Sequence, residues 1–247
     1  METQLLIGIH PVAAALKSVP EQIRCLVIAV EARNPRVKEL EQQAQLQGVR
    51  IEHQPRAALD RRSEGERHQD VLAEFVPNRL WGERDIGGLL AAIDGTPLIL
   101  VLDGVQDPHN LGACLRTAEA AGAHLVILPK DRSAALTPVA RRAASGAAEV
   151  LNIAWVTNLA RVLRQLKEAG VWLAAASDDG ETEIYDTDLR GPLALVMGGE
   201  GQGLRRLTEE LCDFHVRIPM HGTVGSLNVS VATAVCIFEV IRQRRPA

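Results

Sequence analysis

Three polar, glycine-rich clusters carry the residue types that could do chemistry in this 247-residue chain. They are Asn110-Leu-Gly112-Ala-Cys-Leu-Arg116-Thr117, Met197-Gly198-Gly199-Glu200-Gly-Gln-Gly203-Leu204 and Ile218-Pro-Met220-His-Gly-Thr-Val-Gly-Ser226-Leu227-Asn228. Each follows an apolar run that reads as a buried strand, and loops at strand ends are where an open α/β sheet builds its ligand site. Three such loops, remote in sequence, predict one composite pocket. Glycines in the second cluster allow positive φ and close approach of a ligand to backbone groups. Glu200 has no task in a tight turn, so it points to a site role. Arg116 sits among Ala, Leu and Cys, where burying a cation is costly without an anion; the anion is either a structural partner or a ligand phosphate or carboxylate. Asn110 can cap the helix that follows it. Ser226 or Asn228 can cap the last helix; one suffices, which leaves the other free for a ligand.

Other chemistries fit the residues poorly. The glycines lie too close together for G-x-G-x-x-G, and no Gly-Lys-Ser/Thr follows, which excludes a Walker phosphate loop. Cys212, Asp213, His215 and His221 match no zinc spacing, so no metal is expected. Ser226 lacks a Gly-x-Ser-x-Gly elbow and an evident histidine partner, which argues against a hydrolase triad. His10, His68 and His109 follow turn signals and read as satisfied loop histidines.

The elements that must position these clusters come in two groups. In the first, Pro11 suits the start of a helix over 11–18, Arg24–Val30 reads as a buried strand, and Asn34-Pro35 opens a helix ending before Gly48. Val49–Glu52 and Val71–Phe75 are further strands, and the polar stretch Arg56–Arg67 is either a solvated face or an RNA-facing edge. Residues 1–76 thus form a small α/β unit. Residues 77–94, with Pro77, Asn78, Gly82, Gly87 and Gly88, suit a linker holding one short helix. From 95 to 247, strands at 98–102, 125–128, 151–155, 171–176, 193–196 and 214–218 alternate with helices near 110–121, 138–145, 158–169, 205–212 and 228–243. That alternation predicts a mostly parallel sheet covered on both faces. The last helix is apolar almost all round, so it is buried or packs on a partner chain.

Composition bounds the class. Ordinary apolar and charged fractions fit a globular chain, and no apolar stretch is long enough to span a bilayer. The amino terminus does not resemble a signal peptide, and Cys25, Cys114, Cys212 and Cys236 form no Cys-x-x-Cys pair, which favours a reducing, cytoplasmic setting. Net charge is −4, mildly unfavourable for nucleic acid as a whole-chain figure, although local patches decide phosphate contacts. The acidic run Asp178–Asp188 reads as a solvated loop.

Asn110-x-Gly112-x-x-x-Arg116-Thr117, Gly198-Gly-Glu200-Gly-x-Gly203 and Ile218-Pro-Met220…Ser226-Leu-Asn228 together resemble the three motifs of the SpoU (TrmH-like) branch of the SPOUT methyltransferases. The catalytic resemblance covers about 97–245. The front unit, through Gly8-Ile-His10 and His68-Gln69, is similar to the ribosomal-protein-like (L30e-like) domain that precedes the catalytic domain in bacterial 23S rRNA guanosine ribose 2′-O-methyltransferases. The resemblance implies an α/β fold with a carboxy-terminal trefoil knot and S-adenosylmethionine (S-adenosyl-L-methionine) held by Gly198, Gly199, Ile218, Met220 and Leu227. It assigns Arg116, Asn110, Glu200, Ser226 and Asn228 to catalysis, without a metal. The implied partners are 23S rRNA, with a guanosine of the peptidyl-transferase P loop as acceptor, and a second copy in a homodimer; a membrane or DNA is not expected, since the 2′-hydroxyl distinguishes RNA. A tRNA ribose methyltransferase and a non-catalytic RNA-binding or ribosome-assembly protein are the alternatives.

Overall fold

Apolar runs long enough to bury both faces of a strand set the architecture. The computed structural model describes residues 3–76, 80–201 and 203–245, and it divides into two compact units: Met1–Arg79 with Ser145–Val150, and Leu80–Ala144 with Leu151–Ala247. Strands in chain order are β1 Gln4–Ile7, β2 Ile23–Ala29, β3 Ile51–Gln54, β4 Val71–Phe75, β5 Leu98–Asp103, β6 Leu125–Pro129, β7 Ile153–Val156, β8 Trp172–Ala176, β9 Thr182–Glu183, β10 Leu193–Gly198 and β11 Phe214–Arg217. Helices are α1 Ile9–Ser18, α2 Pro35–Leu46, α3 Arg56–Arg62, α4 Ile86–Ala91, α5 Pro108–Ala120, α6 Pro138–Ala144, α7 Ala147–Val150, α8 Leu159–Glu168, α9 Arg206–Leu211 and α10 Val229–Arg244.

In the first unit the sheet order is β1-β4-β2-β3, with β2 parallel to β3 and antiparallel to β4. Period-two alternation along β2 sends Leu26 and Ile28 into one core with residues of α1 and α2. Cys25, Val27 and Ala29 point into another with Leu59 of α3. The helical arginines expected on a solvated face are partly committed: Arg56 pairs with Asp70 and Arg62 with Glu74. Asp70 adopts φ +67, a conformation that costs an ordinary residue energy.

The second unit holds a seven-stranded sheet, β7-β6-β5-β10-β8-β11-β9, whose strand pairings are all parallel. This is an α/β fold with helices on both faces. All six residues of β5 are buried. Ile99 and Val101 share a core with Leu159, Val162, Leu163 and Leu166 of α8, an i, i+3, i+4, i+7 stripe. Helices α5 and α10 pack on each other, and α10 lies on β10.

Three expectations need correction. The stretch read as a linker is, from Trp81 onward, part of the second unit. Trp81 donates its backbone N–H to Ile153 at 3.0 Å and accepts from Trp155 at 2.9 Å, and Ile86 is fully buried in the core. Pro77 and Asn78 lie outside the described residues. The acidic run is not wholly loop: Thr182–Glu183 pairs with β11 as an edge strand, and Arg217 neutralises Glu183 at 3.3 Å. That arginine lies outside the run, which is why local charge misled. His10 and His109 fall within helices α1 and α5 rather than loops.

Candidate active site

The carboxyl ends of β5 and β10 and the segment following β11 deliver the three clusters. Asp103 ends β5 with its side chain fully buried, a position that demands a partner. Arg205 supplies it: its Nε donates to Asp103 Oδ1 at 2.6 Å and its backbone N–H to Oδ2 at 3.2 Å. That ion pair ties the far end of the glycine loop to β5. Inside the loop, Gly199 donates to the Asp103 carbonyl at 3.0 Å and Gly203 to the Gly199 carbonyl at 3.1 Å. Positive φ is taken by Gly201 and Gly203, at +78° and +63°. Gly198 serves close packing instead, because a Cβ there would sit 2.3 Å from the Gly203 carbonyl carbon. Gln202 lies outside the described residues.

Helix α5 begins three residues earlier than a cap at Asn110 would require. Asp107 is the cap, accepting from His109 N–H at 2.6 Å, with Pro108 at the first helical position. Asn110 is therefore free of capping, and its side chain reaches across the site. Its Nδ2 donates to Glu200 Oε1, and its Oδ1 accepts from Asn228 Nδ2 at 3.1 Å. Asn228 in turn caps α10, its Oδ1 accepting from Ser230 N–H at 2.9 Å and Ser230 Oγ at 2.6 Å. One chain of side-chain amides thus joins the three clusters, with sequence separations of 90 and 118 residues.

Beside this bridge opens a concavity of about 910 Å³. Its lining includes Gly198, Gly199, Ile218, Met220 and Leu227, and also Glu200, Ser226 and Asn228. Met220 and Leu227 are 38% and 37% exposed, an apolar surface that a flat ring could cover. Opposite charge is present too: Asp178, Asp179 and Glu209 line the same space, and the Ser177 hydroxyl bonded to Asp179 lowers that carboxyl's pKa. Apolar side chains, loop backbone and carboxylates are a donor set that suits a nucleoside carrying cationic groups. S-adenosylmethionine is such a molecule, so the residues fit it. Ser226 is exposed and forms no hydrogen bond with a described residue.

Arg116 is elsewhere. It is exposed on α5, lines neither this concavity nor its neighbour, and makes no hydrogen bond or ion pair with a described residue. The expectation of a buried cation fails because Arg116 shares a helical face with His109 and Ala120, both exposed, while Cys114 and Leu115 turn inward. The last helix likewise leaves Val231 and Phe238 50% and 46% exposed, on one face. Asp103 and Arg205 escaped the sequence reading as site residues. An acid closing a wholly apolar strand was the available signal.

Three members of the group that matches no zinc spacing make local bonds instead. Asp213 pairs with Lys167 at 2.7 Å, His215 Nε2 meets the Glu209 carbonyl at 3.2 Å, and Cys212 donates to Thr208 O at 3.3 Å. No helix among the described residues is long and apolar enough to cross a membrane.

Comparison with known proteins agrees along the whole chain. Residues 97–238 match the SpoU rRNA Methylase family, and residues 5–81 match the RNA 2′-O ribose methyltransferase substrate-binding family. The 23S rRNA (guanosine-2′-O-)-methyltransferase RlmB of Pseudomonas putida is 50% identical over 244 residues, covering 99% of this chain and 98% of that protein. The Escherichia coli protein of that name is 47% identical, covering 98% and 99%. Among solved structures, the AdoMet-bound rRNA methyltransferase from Sinorhizobium meliloti aligns with a TM-score of 0.74 at 27% identity, over 97% of this chain and 87% of that one. The chain belongs to the SpoU rRNA methylase family.

Proposed function

We propose that this chain methylates the ribose 2′-oxygen of a guanosine in 23S rRNA, using S-adenosylmethionine as donor. The observation that carries the reading is the Asn228–Asn110–Glu200 bridge along the edge of the cleft. Gly198, Gly199, Ile218, Met220 and Leu227 would hold the cofactor, which when bound supplies a methyl group activated on a sulfonium. The chain's own contribution is positioning. After the bridge is made, Asn110 and Asn228 each keep one amide N–H and Glu200 keeps Oε2, so the site can donate to and accept from a ribose hydroxyl. Ser226 adds a hydroxyl on the cleft wall.

Arginine stays protonated at any working pH, which suits Arg116 to holding a phosphate or stabilising charge on the acceptor oxygen rather than removing its proton. Its distance from its own chain's cleft supports a homodimer in which Arg116 serves the neighbouring site, with the exposed Val231–Phe238 face of α10 in the interface. In the front unit, Arg61 and Arg67 lack partners among the described residues and would meet rRNA, with the unit itself ribosomal-protein-like (L30e-like). A trefoil knot around the glycine loop, a P-loop guanosine as acceptor and a cytoplasmic setting belong to the same proposal.

The test is methyl transfer from labelled S-adenosylmethionine to unmodified 23S rRNA, followed by nucleoside analysis. The expected product is 2′-O-methylguanosine at a single position, and Arg116→Ala should abolish it while calorimetric cofactor affinity stays nearly intact. Cofactor-independent RNA binding without transfer would instead support a non-catalytic assembly protein, and transfer to tRNA alone a tRNA enzyme.

A further inference from the structure

A second concavity, of about 470 Å³, adjoins the cofactor cleft and shares the Gly199–Glu200 wall with it. Its charged lining is Asp103, Asp107, Glu200, Arg132 and Arg205. Asp103 and Arg205 neutralise each other, which leaves two carboxylates against one guanidinium. A phosphate would therefore meet net repulsion here. A neutral ring that offers both donors and acceptors would not.

Two of the remaining groups keep a polar atom for a ligand. Arg132 adopts φ +57, a left-handed conformation costing a non-glycine residue on the order of 1 kcal/mol. The turn that imposes it is stitched to Val105, whose carbonyl accepts from Ala134 N–H at 2.8 Å and Ser133 Oγ at 3.5 Å. The guanidinium itself bonds no described residue. Asp107 is fixed by capping α5 through Oδ1, while Oδ2 has no partner among the described residues. An uncommitted guanidinium on a constrained turn and a carboxylate oxygen on a helix cap thus line one space, next to the Asn110–Glu200 bond.

We propose that this concavity receives the guanine base of the acceptor nucleotide. Arg132 donates to O6 and N7, and Asp107 accepts from N1–H and the N2 amine. The inference rests on the methyltransferase reading and deepens it, making Arg132 and Asp107 specificity-determining residues. Adenine would put an amine where Arg132 donates and a bare nitrogen where Asp107 accepts. Each such pair discriminates on the order of 10- to 100-fold.

The experiment uses the full chain, S-adenosylmethionine and an rRNA fragment rebuilt by ligation at the mapped acceptor position with guanosine, inosine (no N2 amine) or 7-deazaguanosine (no N7). Wild type should lose roughly tenfold in kcat/KM on each analogue. Asp107→Asn keeps the capping oxygen; it should be slower on guanosine and indifferent to inosine. Arg132→Ala should be slower on guanosine and indifferent to 7-deazaguanosine, with cofactor affinity unchanged by calorimetry. Variants that lose as much on the analogues as wild type does would overturn the proposal. So would an Arg132→Ala effect confined to the salt dependence of RNA affinity, the mark of a phosphate contact. A wild-type chain that binds cofactor yet methylates no RNA refutes the underlying reading, and the base site with it.

Discussion

Asn228 does two jobs, capping α10 with its oxygen and holding Asn110 with its amide. The two separate in Asn228→Asp, which keeps the capping oxygen and loses the donor. Thermal unfolding of that variant should stay within about 1 kcal/mol of wild type, while methyl transfer falls about 10- to 100-fold through the lost positioning. A variant that unfolds early but transfers normally would assign Asn228 to the helix alone. Sequence offered Asn228 as a cap for the last helix, and it is one, but the bond between the two amides was not legible. A cap is a local decision, and Asp107 wins it over Asn110 because Pro108 starts the helix there. The partner of Asn110 lies 90 residues away, beyond any local rule. Arg116 shows the opposite limit. Its neighbours in sequence are apolar, yet helical geometry turns them inward and Arg116 outward.

Helix packing fixes the cluster on α5 against its neighbours. A Cβ at Gly112 would lie 2.3 Å from the Ala140 carbonyl of α6, so Gly112→Ala should cost about 1–3 kcal/mol by forcing the two helices apart; equal denaturation midpoints would contradict the packing. In α10, Glu239 accepts from Arg242 Nε at 2.7 Å and Gln243 Nε2 at 2.8 Å, and Gln243 in turn holds Thr187 and Leu189. The Arg242 bond lowers the Glu239 pKa below the usual 4.5. A lowered carboxyl stabilises the fold above its unfolded value, and that stabilisation is lost as pH falls through the folded value. Wild type should therefore exceed Glu239→Gln by about 1 kcal/mol near pH 7, with the gap closing below pH 4.5. A pH-independent gap would point to packing instead. Most strands of the sheet were legible because their runs, such as Leu98–Leu102, are apolar on both faces. The two-residue strand at Thr182 was not, since its pairing with β11 is the only thing that makes it a strand. Trp81 and Ile86 were hidden among glycines that mimic a tether.

At the scale of the molecule, the described lining of the cleft lacks the arginine that the family likeness assigns to it, and Arg116 is exposed with no partner among the described residues. Two copies related by symmetry would resolve both facts. Arg116→Ala and Asn110→Ala chains should each be inactive alone. Mixed after unfolding and refolding together, they should recover about a quarter of wild-type transfer, since half the dimers are mixed and each holds one intact site. No recovery would confine Arg116 to its own chain.

The convergence of the glycine loop and the Ile218–Asn228 segment on one cofactor is tested most directly by amide hydrogen exchange of the full chain with and without S-adenosylmethionine. Slowed exchange in peptides spanning 197–204 and 216–228 together, with the first unit unchanged, is the expected result. Protection of only one of these segments, or of neither, would contradict it.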